Sequence, residues 1–434
     1  MHFAFCLLLS KVKDVAKSMF HIPPALKHRG FALIWGGLII SMVGTQMQQW
    51  ALFWHISQLS KDPIAVSVVG GVRFAAVLSF SLIGGLAADR YDRRKILFVT
   101  QATAMLVAAI LGLLTLFGNI QLWHIYLLTA IQAAAMAFDL PARQSLVPNL
   151  VPRDILPSAF SLQSIAFNTG AIVGPALSGV VIGYLGQEYA YFINAITFLA
   201  VIFALIALGN VPQQQSKSKA GLRAALIDIR DGLRFIRRQP LILSTMILDF
   251  IATFFSSANT LLPYFAQNVI HVGEVAYGRL AAAQSIGAVL VGLIASQYSH
   301  IRRQGPLLLG SVMVFGLATI LFGFSRLYGL IFLALALTGA ADSVSTIIRN
   351  TIRQLNTPDS MRGRMTGINQ IFFMGGPQLG EIEAGAVAQF FGVPFAIISG
   401  GVGTILGVWL IASVWPSLLR YNGDESNILT APAD

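Results

Sequence analysis

The residues in this chain that could do chemistry are a few charges set inside apolar stretches: Arg73, Asp249, Glu381 and Glu383. A lone charge in hydrocarbon is expensive, so such groups mark ion or substrate paths by default. Arg73 lies nine residues into its run, about 13 Å deep at a rise of 1.5 Å per residue. Asp249 is comparably deep in a later run. Glu381 and Glu383 stand two positions apart, roughly 200° around a helix, and cannot share a face. Gln370, Met374, Gln378 and Glu381 form one stripe at helical spacing, which makes Glu381 the better candidate to face a cavity. Groups of this kind can exchange a proton or pair with each other. Two further stripes are polar. One is Ser41, Thr45, Gln48 and His55, flanked by Gln46, Gln49, Trp50 and Trp54; the other is Asp249, Phe254, Phe255, Ser257 and Asn259. Aromatic surface with scattered amides suits an amphiphilic organic molecule rather than a bare ion or a sugar. His55 reads as an outer-interface residue, and Trp50 and Trp54 equally as interfacial anchors. Enzyme chemistry is not indicated. There is no nucleophile–base pair, no metal-ligand cluster and no GxxxxGKS phosphate loop. The single cysteine, Cys6, excludes an intramolecular disulfide.

The elements that must hold these residues are membrane helices. Of 434 residues, 56% are hydrophobic and 11% charged, too little charge to cover a soluble core of this size. Apolar runs long enough to span number about twelve. They cover 31–55, 64–88, 96–117, 122–140, 157–185, 189–208, 241–269, 276–298, 305–324, 328–348, 364–391 and 394–415. All 29 Lys and Arg except Lys61, Arg73, Arg279 and Arg326 fall in loops on one side. That asymmetry puts both termini in the cytoplasm and accounts for the net charge of +11 without invoking nucleic acid. The domains expected are an N-terminal extension at 1–30, a six-helix bundle at 31–210, a linker at 211–240, a second bundle at 241–416 and a tail at 417–434. The stretch Phe3 to Leu9 is too short to span and lacks a basic flank, so no signal peptide is read there. Within the linker, Gln213 to Lys219 is polar and flexible in composition. Ala220 to Arg238 is an amphipathic helix with Leu222, Leu226, Ile229, Leu233 and Ile236 on one face. It is suited either to the anionic inner leaflet or to bracing the bundles.

The two halves repeat one another. Arg143, Pro152, Gly170, Gly179 and Gly186 recur 206 positions on as Arg349, Pro358, Gly376, Gly385 and Gly392. Such duplication points to a two-bundle transporter with its site between the halves. The loop after span two reads Gly85-Leu-Ala-Ala-Asp89-Arg90-Tyr-Asp92-Arg93-Arg94-Lys95, and its degraded copy keeps Gly292, Tyr298, Arg302 and Arg303 but has Ser296 for the acid. Arg143 and Arg153 follow span four; Arg362 and Arg364 sit in the equivalent loop of the second half, with Asp139 and Asp342 as nearby acids. Span five carries Gly170, Gly174, Pro175 and Gly179, a thin bent helix built for close packing.

The loop resembles the G-x-L-A-D-R-x-G-R-K signature of the major facilitator superfamily. Asp92 at the usual Gly is similar to the branch of enterobactin exporters and transmembrane secretion effectors. The resemblance runs from about Phe31 to Trp415. It implies an all-α fold of twelve transmembrane helices in two pseudo-symmetric six-helix bundles, in the cell (inner or plasma) membrane. Gly85, Asp89, Arg90, Arg93, Arg94, Arg143, Arg362 and Arg364 would then serve as a conformational latch, with Gly85 allowing tight helix contact. Span five resembles the antiporter motif that accompanies export. Cavity walls are implied at Thr45, Gln48, Gln49, Phe254, Asn259, Gln370 and Gln378. Arg73, Asp249 and Glu381 become coupling candidates, with protons as the expected coupling ion and no cofactor; spans two and eleven adjoin across the cleft in that fold, which implies a pair of Arg73 with Glu381, either broken by protonation or substrate or else static or solvated in the lumen. Span four lacks the Arg of proton-coupled drug exporters, so that residue's role is not carried over. The expected activity is export of a siderophore or drug-like molecule; lipid or lysolipid movement and a non-transporting sensor or scaffold are the alternatives. A reporter domain fused to either tail is expected to be active only in its cytoplasmic form.

Overall fold

Lipid offers no partner to an unpaired backbone amide, so every apolar run must close its own hydrogen bonds as a helix. The computed structural model is helical in this way, with no strand among the described residues, which are 23–211, 222–256, 258–295, 297, 302–358 and 361–423. Cys6, the Gln213–Lys219 segment, Ser257, Ser296 and Tyr298 lie outside them. The first half comprises α1 (Arg29–Leu59), α2 (Ile64–Arg90), α3 (Arg93–Leu116), α4 (Leu122–Leu146), α5 (Leu156–Tyr184) and α6 (Gln187–Leu208). A linker helix, Leu222–Arg237, precedes the second half. There, α7 (Pro240–Asn268) breaks after Phe255 and restarts at Leu262, where Pro263 takes a first-turn position. It is followed by α8 (Glu274–Ala295), α9 (Gln304–Phe324), α10 (Tyr328–Leu355), α11 (Arg362–Phe391) and α12 (Val393–Val414).

Eleven of these are long and apolar enough to cross a membrane. The exception is α11, whose 30 residues are long enough but include Arg362, Arg364, Gln370, Gln378, Glu381 and Glu383. Its polarity is that of a helix lining an interior path, not of a loop. α4 and α10 run beyond the apolar stretches read from sequence, to Leu146 and Leu355. The added turns hold Arg143, Arg349 and Arg353, whose partners lie within the bundles.

How the halves meet is decided by packing. On the face away from the linker, one apolar core joins both halves. It includes Trp50, Phe53, Trp54 and Val66 from the first half and Leu262, Phe265, Tyr277 and Ala384 from the second. On the linker face the core divides. Ile34, Leu97 and Val201 pack in the first half, and Leu248, Leu308 and Ile352 pack separately in the second. The two bundles therefore seal at one face and part at the other.

Backbone proximity makes the seal. A Cβ on Gly179 of α5 would lie 2.9 Å from the Cα of Gly278 on α8, and one on Gly278 would lie 2.7 Å from the Pro175 carbonyl oxygen. A Cβ on Gly70 of α2 would come 2.9 Å from the Glu381 Cβ on α11. Small residues let helices approach this closely, where dispersion rather than solvent exclusion supplies the attraction. Hydrogen bonds finish the joint. Tyr277 Oη donates to the Trp50 carbonyl at 3.0 Å, and Tyr264 Oη reaches the Asp62 carbonyl at 2.8 Å. Gln389 Nε2 donates to Asp62 Oδ1 at 3.1 Å.

In a Cys6→Ser background, Asp62→Cys with Gln389→Cys is expected to react with a short bifunctional maleimide in high yield. Adding Gly179→Leu, an overpacking change of about 1–3 kcal/mol, should lower that yield.

Candidate functional site

The loop between α2 and α3 is built on helix ends. Asp92 caps α3, its Oδ1 accepting from the Arg94 amide at 2.9 Å. That explains an acid at a position where the signature has Gly. Arg93 donates to the Ala88 carbonyl at 3.2 Å and the Ser145 carbonyl at 2.9 Å; Arg94 donates to the Leu205 carbonyl at 2.7 Å. The acceptors are the C-terminal turns of α2, α4 and α6, where cations are favoured. These bonds tie three helices of the first half together. Gly85 does not make the tight contact expected of it, since a Cβ there would meet nothing within 4 Å. The close glycine is its neighbour Gly84, whose Cβ would lie 3.1 Å from the Phe138 Cα of α4. Asp89 sits in the last turn of α2.

The arginines of the two repeats occupy equivalent places with different acids. In the first half Arg143 pairs with Asp139 one turn earlier on α4. Asp139 Oδ2 also accepts from Thr100 Oγ1 at 3.0 Å and Gln101 Nε2 at 2.6 Å. In the second half Arg349 meets Asp249 of α7 at 2.8 Å, both side chains being 2% exposed. Asp342 is 3.6 Å away, and Ser345, the repeat equivalent of Asp139, accepts from Arg349 at 2.9 Å. Asp249 thus lies inside the second bundle as the partner of Arg349. Arg353 bonds Asn369 of α11. Arg364 approaches Asp231 of the linker helix at 3.7 Å, while Arg362 is exposed. The apolar face of the linker helix, with Leu233 and Ile236, packs on Ile242, Met246, Met365 and Ile368. It braces the second bundle.

Of the proposed wall residues, Gln48 is buried within the first half, bonded to Gln132 at 3.2 Å and Asn194 at 2.7 Å. It faces a bundle interior because α1 is surrounded there by α5 and α6. Thr45 lines a small cavity of about 30 Å³ with Ser41, Gln101 and Gln132, the room of roughly one water. Gln49 is half-buried and Gln370 exposed. Asn259 donates to Gln284 of α8 at 3.1 Å. His55 is not at an interface; it is buried against Tyr191 Oη at 3.0 Å. Trp50 and Trp54 are not lipid anchors either, since both pack on Tyr277 in the seal.

Two groups gather where α2, α7 and α11 converge below the seal. One is aromatic: Phe250 stacks on Phe254 at 5.9 Å and meets Phe372 at 6.1 Å, while Phe74 is the ring nearest Gly375. The other is charged. Arg73 lies over the Phe53 ring at 5.7 Å. Glu381 is within Coulombic reach of Arg73, yet the two are not among the ion pairs within 4.0 Å. Glu381 Oε2 and Gln378 Oε1 are buried without a hydrogen-bond partner. Sequence reasoning had no signal for Gly278, Tyr277 or the Phe53–Arg73 contact; Gly70-Gly71 inside an apolar run was a signal for close packing left unused.

With this geometry in view, residues 22–427 match the family model described as transmembrane secretion effector. The chain belongs to that family. It is a multi-pass membrane transporter of the major facilitator superfamily, not an enzyme. It is 28% identical over 349 residues to the enterobactin exporter EntS of Shigella boydii, covering 80% of this chain and 82% of that one. The enterobactin exporter EntS of Escherichia coli O81 matches to the same extent. Among solved structures, a bacterial homologue of the human lysosomal transporter Spinster, inward-facing and unoccupied, superposes with a TM-score of 0.69 at 13% identity, covering 92% of this chain and 98% of that one. The nucleoside transporter NupG gives 0.68 at 13% identity over 90% and 99%. These likenesses carry the fold.

Asp249→Asn in this secretion-effector-family chain is expected to cost about 3 kcal/mol, because it removes the nearer and buried carboxylate from a buried guanidinium and leaves only the more exposed Asp342 at 3.6 Å. Thermal unfolding in detergent should show the loss. The double change Asp249→Leu with Arg349→Met should recover most of it.

Proposed function

We propose that this transporter exports a small amphiphilic organic molecule, of siderophore or drug-like kind, out of the cytoplasm in exchange for protons. Both termini and the linker face the cytoplasm, in keeping with the basic loops on that side. The open crevice then receives cargo from the cytoplasm, and the aromatic patch of Phe250, Phe254 and Phe372 offers a flat apolar surface to a ringed molecule. Similarity to enterobactin exporters over most of the chain supports enterobactin as the first cargo to try.

The observation that carries the coupling is Glu381. Its carboxyl group packs against Gly70 in the seal, with one oxygen lacking a donor and Arg73 close but unpaired. A buried, unpaired charge at this joint would weaken the contact between α2 and α11. Proton loss from Glu381 toward the cytoplasm therefore loosens the seal, and cargo in the crevice completes the opening outward. Protonation from outside favours closure and resets the cycle. The antiporter motif fits this use: Gly170 and Gly174 hold α5 to α1, and Gly179 meets the second half.

The test is transport in proteoliposomes with an imposed pH gradient, using iron-free enterobactin within a panel of amphiphiles. Glu381→Gln is expected to abolish gradient-driven transport while equilibrium exchange of cargo persists. Arg73→Ala should uncouple in the same way. Retention of full gradient-driven transport in both variants would reject this coupling scheme, and a panel with no transported compound would reject the cargo class.

A further inference from the structure

We propose that the outer flank of the first bundle holds one anionic phospholipid of the linker-side leaflet, seated in a groove between α2 and α3. The groove has a structural cause. Both α2 and α3 pack along α4, yet they scarcely touch each other. α4 is therefore left as the floor of a trough of about 730 Å³. Ile131, Ala134 and Phe138 form the floor, with Phe80 on one wall and Val99 on the other. Phe80 and Phe138 lie with rings 6.4 Å apart and close its inner side. Because α2 turns its other side to α11, the trough faces away from the crevice and toward lipid.

Its shape and charge select the occupant. From Lys95 at the mouth to Thr103 at the far end is eight residues of α3, about 12 Å. That is close to one leaflet's share of a hydrocarbon core of about 30 Å. The walls are apolar along that length and suit an acyl chain. The mouth carries Arg90, Tyr91, Asp92 and Lys95. Asp92 spends one carboxylate oxygen capping α3, and Arg93 and Arg94 are committed to helix-end carbonyls. Arg90 and Lys95 are exposed and enter none of the ion pairs among the described residues. Two uncommitted cations above an apolar trough match a phosphate headgroup above its chain. This assignment rests on the placement of the bundle in a bilayer and is independent of the cargo and of proton coupling.

The experiment uses the full-length transporter in phosphatidylcholine proteoliposomes containing a phosphatidylglycerol with a photoactivatable acyl chain, and peptide mapping of the adducts. Labelling should concentrate in 80–103 and 131–138 and be displaced by unlabelled phosphatidylglycerol but not by the same amount of phosphatidylcholine. Val99→Trp, or Thr103→Trp if that variant fails to insert, should fill the trough and remove labelling there while other sites keep theirs. Lys95→Gln should reduce the preference for the anionic lipid by about fivefold, the effect of one cation near a charged surface. Labelling spread evenly around the belt, equal competition by phosphatidylcholine, or labelling unaffected by the tryptophan variants would each overturn the proposal. Displacement by enterobactin would assign the trough to cargo and overturn it as well.

Discussion

The structure depends on two bundles touching at backbone distance on one face only. In lipid there is no solvent to drive apolar helices together, so the joint must come from atoms in direct contact. Glycine supplies that contact at Gly70 against Glu381 and at Gly179 against Gly278. Around these two points lie a single core at the sealed face and separate cores at the other.

The buried ion pairs lie away from that joint. Asp139 with Arg143, and Asp249 with Arg349, are buried inside their own bundles and keep each half rigid as a unit. The loop arginines Arg93 and Arg94 cap helix ends of the first half. The linker helix, through Ile236 and Arg364, is fastened to the second half. Glu381 puts a carboxyl group against Gly70 in the seam, with Arg73 held nearby on the Phe53 ring, and Asp62 meets Gln389 at the same joint.

The two copies of the repeat also show how little of a sequence must persist for a role to persist. Arg143 and Arg349 correspond in position, but the acid moves from α4 in the first half to α7 in the second, and Ser345 stands where Asp139 would be. The physical requirement is a carboxylate within reach of a buried guanidinium, and the fold offers more than one helix from which to supply it.

Much was legible in the chain because it depends on local chemistry. Hydropathy set the spans, and ordered Gly, Asp and Arg spacing with the 206-residue repeat pointed to the superfamily. Even the polarity of α11 was visible as the stripe through Gln370, Gln378 and Glu381. What periodicity could not decide was which neighbour each face meets. Gln48 and Gln378 both read as polar positions on apolar helices; one is bonded within a bundle and the other lies at the seam with its oxygen unpaired. His55 read as interfacial and is buried on Tyr191, while Gly85 read as a contact and its neighbour Gly84 makes it. A helix repeats every 3.6 residues whatever surrounds it. Which side becomes core, seam, crevice or lipid surface is therefore fixed only when the other eleven helices are in place.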